Sequence, residues 1–250
     1  MLYASDRQRE IVRLLMEDPG TSVARLSELL GVSAVTIRSD LGEMAEAGLV
    51  IRTRGGGMPA FHPVNLERQQ CHVAEKTRIA QAAAALIEDG DEVMISAGTT
   101  TSLVPRFLLG KRDIKIVTNS TLMLPYMRIH PHVQMTMAGG EFRPAAEALV
   151  GPNTLRDLSQ FHVAKAFLGT DGFTLEKGVT ADSVEVAEVV RAMAEQARQR
   201  ILLADSSKLG RAGFAHIMPA DRINVLITDD GLGREEMSRF EEWNIRVIVA

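Results

Sequence analysis

Cysteine is nearly absent from this chain of 250 residues. The lone Cys71 cannot form an internal disulfide, so a reducing cytosol is the expected setting. No apolar run approaches the ~18 residues that span a bilayer. The opening residues, MLYASDRQRE, lack the apolar core of a secretion signal. These absences predict a cytoplasmic protein with no membrane partner. Heptads, internal repeats and low-complexity tracts are missing too. The six histidines, His62, His72, His130, His132, His162 and His216, are scattered, and none has metal-ligand spacing with Cys71. Neither a metal nor a cofactor is expected. Net positive charge is also lacking, since the formal charge is −4.

What is present divides in two. Hydrophobic residues make up 46% of the chain, ample for a core, and the length suits a small head plus a larger domain. In the head, Ser22 can cap a short helix with apolar positions at Leu26, Leu29 and Leu30. Gly31 follows where a left-handed turn favours glycine. Ser33 can cap a second helix running through Ala47, with Val35, Ile37, Leu41, Met44 and Ala45 available to pack inward. An earlier helix, Asp6 to Glu17, supplies Ile11, Val12, Leu14 and Leu15 as a third wall. After Gly48, Leu49–Arg52 reads as a strand, and Arg54-Gly55-Gly56-Gly57 as a flexible tip. Two helices joined by a tight glycine turn, with a wing behind them, predict a winged helix-turn-helix.

Such a head presents the N-terminal part of its second helix to the major groove of double-stranded DNA. Ser33, Thr36, Arg38 and Ser39 are then placed to reach bases or phosphates. The fork of Arg38 matches guanine O6 and N7. Arg52 and Arg54 on the wing suit phosphates or the minor groove. Residues 1–58 carry seven arginines and no lysine against eight acidic residues. The few cations must therefore be concentrated on one side, and paired heads are favoured to gain affinity.

Residues 59–72 are expected as a linker, because Pro59 and Pro63 interrupt regular structure. A helix near Val73–Glu88 follows, with Ile79, Ala83, Leu86 and Ile87 inward. Beyond residue 90, short apolar strands alternate with helices. The strands are Glu92–Ser96, Lys115–Thr118, Gln134–Met137, Ala166–Leu168, Ile201–Leu203, Asn224–Thr228 and Arg246–Val249. The helices are Ser102–Leu109, Leu122–Ile129, Thr154–Gln160, Val184–Gln199 and Arg234–Trp243, with Trp243 set against the sheet. This alternation predicts an α/β sandwich with a mainly parallel sheet over residues 73–250.

Ligands of such folds sit at the carboxyl ends of strands, and here those loops are polar. The first runs Ser96-Ala97-Gly98-Thr99-Thr100-Thr101-Ser102 and suits a phosphate. No Gly-Lys-Ser/Thr follows, so it is not a P-loop. The others are Thr118-Asn119-Ser120, then Gly139-Gly140-Glu141-Phe142-Arg143, then Gly169-Thr170-Asp171-Gly172, then Asp205-Ser206-Ser207-Lys208. Together they describe a pocket for a small anionic polyol.

Both halves resemble the DeoR family of bacterial sugar-metabolism regulators. In the head the match is Arg7-x-x-x-Ile11-x-x-x-Leu15, then Ser33-x-x-Thr36-Ile37-Arg38-Ser39-Asp40-Leu41. In the larger half it is Gly98-Thr99-Thr100, Thr118-Asn119, Gly139-Gly140, Gly151-Pro152, Phe167-Leu168-Gly169-x-Asp171-Gly172, Gly178-Val179-Thr180 with Glu185, and Asp205-Ser206-Ser207-Lys208. The resemblance implies a C-terminal fold similar to ribose-5-phosphate isomerase and a phosphorylated sugar as effector. It implies Gly98–Thr101, with Thr99 and Thr100 inside it, as the phosphate cradle. Asp171, Glu185 and Lys208 would surround the sugar, supported by Asn119, Arg143 and the Gly140 and Ser96 loops. Two positions depart from the pattern. Ser39 stands where the family usually has a basic or amide residue, and Ser96 where many relatives have aspartate. The implied function is a repressor of a sugar-utilisation operon, acting on operator DNA as a homodimer or homotetramer and not as an enzyme. The competing reading is a sugar-phosphate isomerase with an appended DNA-binding head, in which Asp171, Glu185 and Lys208 would do acid–base chemistry.

Overall fold

The computed structural model describes residues 5–250 and divides into two compact units, the first ending at Cys71 and the second spanning His72–Ala250. In the first unit, helix α1 (Asp6–Glu17) is capped by Ser5, helix α2 (Val23–Leu30) by Ser22, and helix α3 (Ala34–Glu46) by Ser33. Each serine hydroxyl accepts the backbone N–H three residues on, satisfying a donor the helix itself leaves open. Gly31 takes φ 63° between α2 and α3, the left-handed turn that glycine allows. Strands β1 (Val50–Thr53) and β2 (Gly56–Pro59) form the antiparallel wing, and helix α4 (Pro63–Gln70) follows. Ile11, Leu15, Leu26, Ile37, Leu41, Met44, Leu49 and Leu66 make one core.

Several expectations for the head are corrected. Val35 is 73% exposed and Leu29 47%. The inward stripe of α3 is Ile37, Leu41 and Met44, and Val35 lies off it by two residues, on the opposite face. Gly56 and Gly57 belong to β2 rather than to a flexible tip, which is only Arg54 and Gly55. A Cβ on Gly56 would lie 2.7 Å from the Thr21 carbonyl oxygen, so close backbone approach is what requires glycine there. Within the segment expected as a linker, Leu66 of α4 is 1% exposed and packs in the head's core.

The second unit begins with α5 (Val73–Ala85), β3 (Glu92–Ile95), β4 (Ile114–Thr118), α6 (Leu124–Met127) and β5 (Val133–Met137). Hairpin β6 (Glu141–Arg143) and β7 (Ala148–Val150) comes next, followed by α7 (Pro152–Leu158) and β8 (Val163–Gly169). The chain ends through β9 (Gly172–Thr174), β10 (Gly178–Ala181), α8 (Val184–Glu195), β11 (Ala197–Leu203), β12 (Ala215–Met218), β13 (Val225–Thr228), α9 (Arg234–Glu242) and β14 (Arg246–Val249). Seven strands form a parallel sheet in the order β14-β13-β11-β8-β3-β4-β5. They are the seven expected from the sequence. Smaller antiparallel sheets, β12-β10-β9 and β6-β7, flank it.

Successive strand residues feed two cores. Met94, Leu168 and Leu202 enter one; Val93, Ile95, Phe167, Ile201 and Leu203 enter the other. That is the period-two alternation of a sheet covered on both faces. Some helical expectations shorten. Ser102–Leu109 is a 3-10 segment, Thr101–Phe107, with Pro105 inside. Leu122–Ile129 is a brief 3-10 turn and α6. The run to Gln199 stops at Glu195, and Ala197 already belongs to β11. Trp243 is 45% exposed rather than wedged on the sheet.

Candidate functional site

On the head, the N-terminal half of α3 is open. Ser33 Oγ accepts from Thr36 N at 3.1 Å and is hydrogen-bonded to Thr36 Oγ1 at 2.9 Å. Arg38 and Ser39 lie exposed one turn on, with Ser39 Oγ donating to Glu43 at 3.4 Å. Arg52 on β1 reaches back to the Arg38 carbonyl at 3.5 Å, which brings the wing beside the helix. Arg54 is exposed at the wing turn.

The charges of this head are sorted. Arg7 pairs with Asp40, Arg9 with Asp6, Arg13 with Glu10 and Glu17, and Arg25 with Glu28. Among the described residues, Arg38, Arg52 and Arg54 have no carboxylate within ion-pair distance. Four of the seven arginines are therefore neutralised locally. The three left over are those of the helix and wing. Sequence reasoning missed two features here. One is the Arg7–Asp40 pair. The other is exposed Val35, which the i, i+4, i+7 spacing of Ile37, Leu41 and Met44 could have flagged.

In the second unit, every parallel strand ends on the same edge. From β3 the chain moves outward to β4 and β5; from β8 it moves the other way to β11, β13 and β14. The switch point lies between β3 and β8, and a crevice forms at such a point. Ser96 stands on it. Its fully buried Oγ accepts Gly169 N–H at 2.9 Å, joining the loop after β3 to the loop after β8. Asn119 is buried as well. Its Oδ1 accepts Ala97 N at 2.8 Å and its Nδ2 donates to Leu149 O at 3.0 Å. Thr101 Oγ1 returns to the Gly98 carbonyl at 3.1 Å. Ser96, Asn119 and Thr101 are thus committed to holding the loop's shape. The backbone N–H groups of Gly98, Thr99 and Thr100, by contrast, donate to no acceptor among the described residues.

The remaining expected residues ring this edge. A Cβ on Gly140 would meet Thr154 Oγ1 and the Val150 carbonyl at 2.0 and 2.5 Å, so glycine there lets the hairpin pack down. Arg143 Nη2 meets Glu185 Oε1 at 3.1 Å and Glu141 Oε2 at 3.6 Å. The Ser183 hydroxyl, the backbone at the start of α8 and Arg143 hold the Glu185 carboxyl below the usual carboxylate range. Asp171 Oδ2 accepts Asp182 N at 2.9 Å. Lys208 closes the 3-10 turn after β11, and its ammonium pairs with no carboxylate among the described residues. Also among the described residues, no group of histidine, cysteine and carboxylate side chains could hold a metal, and no helix is long and apolar enough to cross a membrane.

The DeoR-like helix-turn-helix domain matches residues 7–58, and the DeoR C terminal sensor domain matches residues 71–230. The chain belongs to the DeoR family. Its DeoR relatives include the HTH-type transcriptional regulator GlpR of Haloferax volcanii, 32% identical over 254 residues, covering 99% of this chain and 98% of that one. The HTH-type transcriptional repressor GlcR of Bacillus subtilis is 33% identical over 232 residues, covering 91% and 89%. Among solved structures, a D-ribose-5-phosphate isomerase in complex with phospho-erythronic acid aligns with TM-score 0.39 and 18% identity, over 54% of this chain and 52% of that one. This DeoR chain is a DNA-binding transcriptional regulator whose sensor domain follows the head in sequence.

Proposed function

We propose that the protein represses a sugar-utilisation operon by binding its operator, and that a phosphorylated sugar in the second unit modulates that binding. The observation that carries the DNA half is the sorted charge of the head. Arg38, Arg52 and Arg54 are left unneutralised beside Ser33, Thr36 and Ser39, and such groups divide naturally between base edges and phosphates. Exposed Val35 beside them suits a thymine methyl.

The sensing half is supported by the switch-point loop. Three consecutive unpaired N–H groups at Gly98, Thr99 and Thr100 offer donors to a phosphate. Lys208 supplies a cation, and Asp171, Glu185 and Arg143 supply polar contacts for sugar hydroxyls. Ser96, Thr101, Asn119 and Gly140 keep the loops in register. An effector that favours one conformation shifts its population and so changes DNA binding. With few free cations per head, paired heads in a homodimer or homotetramer gain affinity that one head lacks. The cytoplasm is the setting where operator and sugar phosphate meet.

Two measurements test this. Selection of bound fragments from a random duplex pool should return a near-palindromic site, and the Arg38→Ala variant should return the same site with one position of each half relaxed. A thermal-shift screen of sugar phosphates should raise the melting temperature of the intact chain, because a ligand that binds only the native state stabilises it. Turnover of aldose phosphates at ordinary enzyme rates would overturn the sensor reading in favour of an isomerase.

A further inference from the structure

Glu147 is a nearly buried charge that the pocket described above does not use. It lies in the turn between β6 and β7, is 8% exposed, and adopts φ 50°. A non-glycine residue takes that left-handed conformation at a cost, and such strain gathers at functional positions. Its carbonyl accepts Thr121 N at 3.1 Å, and Thr121 Oγ1 bonds to that carbonyl and to Glu147 Oε2 at 3.0 and 2.5 Å. The second carboxylate oxygen, Oε1, has no protein partner among the described residues and is not sealed from solvent. Two residues on, Leu149 exchanges hydrogen bonds with Asn119, and Asn119 holds Ala97 at the foot of the Gly98–Thr101 loop. A carboxylate with one oxygen tied down and the other free is thus linked, through Leu149 and Asn119, to the loop whose N–H groups are unpaired.

We propose that Glu147 reads the sugar: Oε1 accepts hydrogen bonds from effector hydroxyls while the loop takes the phosphate. The proposal rests on the sugar-phosphate reading of the same site. Hydrogen bonds to a charged acceptor are the strong ones. Glu147 then adds to Asp171, Glu185 and Arg143 in setting which polyol is accepted, and the loop sets that a phosphate is present.

The test is binding of ribose 5-phosphate, glucose 6-phosphate and inorganic phosphate to the full chain, by calorimetry. Glu147→Gln keeps the shape and the Thr121 bond but removes the charge. Thr121→Val removes that bond and keeps the carboxylate. With a sugar phosphate that binds the wild type more tightly than phosphate does, Glu147→Gln should cost about tenfold or more. It should leave inorganic phosphate affinity unchanged, and Thr121→Val should keep most of the sugar preference. If Glu147→Gln weakens phosphate and sugar phosphate equally, or neither, or if Thr121→Val mimics it, Glu147 is only a prop for the loop. If none of the three probes binds the wild type, the sugar-phosphate reading falls and this proposal falls with it.

Discussion

The guanidinium of Arg7 forks onto Asp40, Nε to Oδ2 at 2.7 Å and Nη2 to Oδ1 at 3.1 Å, tying α1 to α3. The two ends are unequal, since the Asp40 side chain is 5% exposed and that of Arg7 39%. Arg7→Ala strands a carboxylate almost out of water's reach. Asp40→Ala leaves a guanidinium that water still solvates. Arg7→Ala should therefore lower stability more than Asp40→Ala does. Urea unfolding of the two variants measures the order, and the reverse order would contradict the burial argument.

Arg38 and Arg54 are both exposed and without acidic partners, yet they should behave differently on DNA. On the proposed reading Arg38 sits on the helix that enters the major groove, so Arg38→Ala should remove about 1–3 kcal/mol of discrimination at one base pair. Arg54 sits on the wing turn, so Arg54→Ala should weaken all sequences alike and lower the salt slope by about 1. Titrations of a preferred and a scrambled duplex at several salt concentrations separate the two roles. Equal loss on both duplexes for Arg38→Ala would remove it from base reading.

Much of this architecture was legible because it follows simple periods. The seven strands of the large sheet are short apolar runs bounded by polar loops, and all seven can be read directly. The flanking hairpins cannot. In β6, Glu141, Phe142 and Arg143 are all exposed, whereas all four residues of β10 are buried, so neither alternates. At Gln196 no glycine or proline separates α8 from β11, and a helical reading runs on into the strand. At the candidate site the residue types are visible, but their assignments are not. That Ser96 bridges two loops, or that Arg7 finds Asp40 across 33 residues, depends on packing that no local pattern encodes.

Gly56 offers a sharp check on the wing. Its α-hydrogen faces the Thr21 carbonyl, and the Cβ of alanine would sit 2.7 Å from that oxygen. The contact is backbone to backbone, so no side chain can swing aside. Gly56→Ala should cost about 1–3 kcal/mol through overpacking and should loosen the wing that carries Arg52 and Arg54. Amide hydrogen exchange across β1 and β2 would report it. Gly55→Ala meets nothing within 4 Å and should leave exchange unchanged; similar effects from both would remove close approach as the cause.

Asp229 predicts a pH dependence for the second unit. It is 2% exposed at the end of β13 and accepts Ser206 N at 2.7 Å and Gly231 N at 2.8 Å, fixing the turn that carries Lys208. Burial acts to raise its pKa, but the hydrogen bonds from Ser206 and Gly231 outweigh it, and the group lies below its ordinary value. A depressed carboxylate contributes stability that is complete above the unfolded-state value near ~4 and is lost as pH falls through the folded value. Asp229→Asn should therefore destabilise the second unit by about 2 kcal/mol at neutral pH. The gap to the wild type should close as pH falls below about 4. Urea titrations at neutral and acid pH measure that gap. A difference that persists unchanged in acid would mean that the shape of Asp229, and not its charge, holds the two amides.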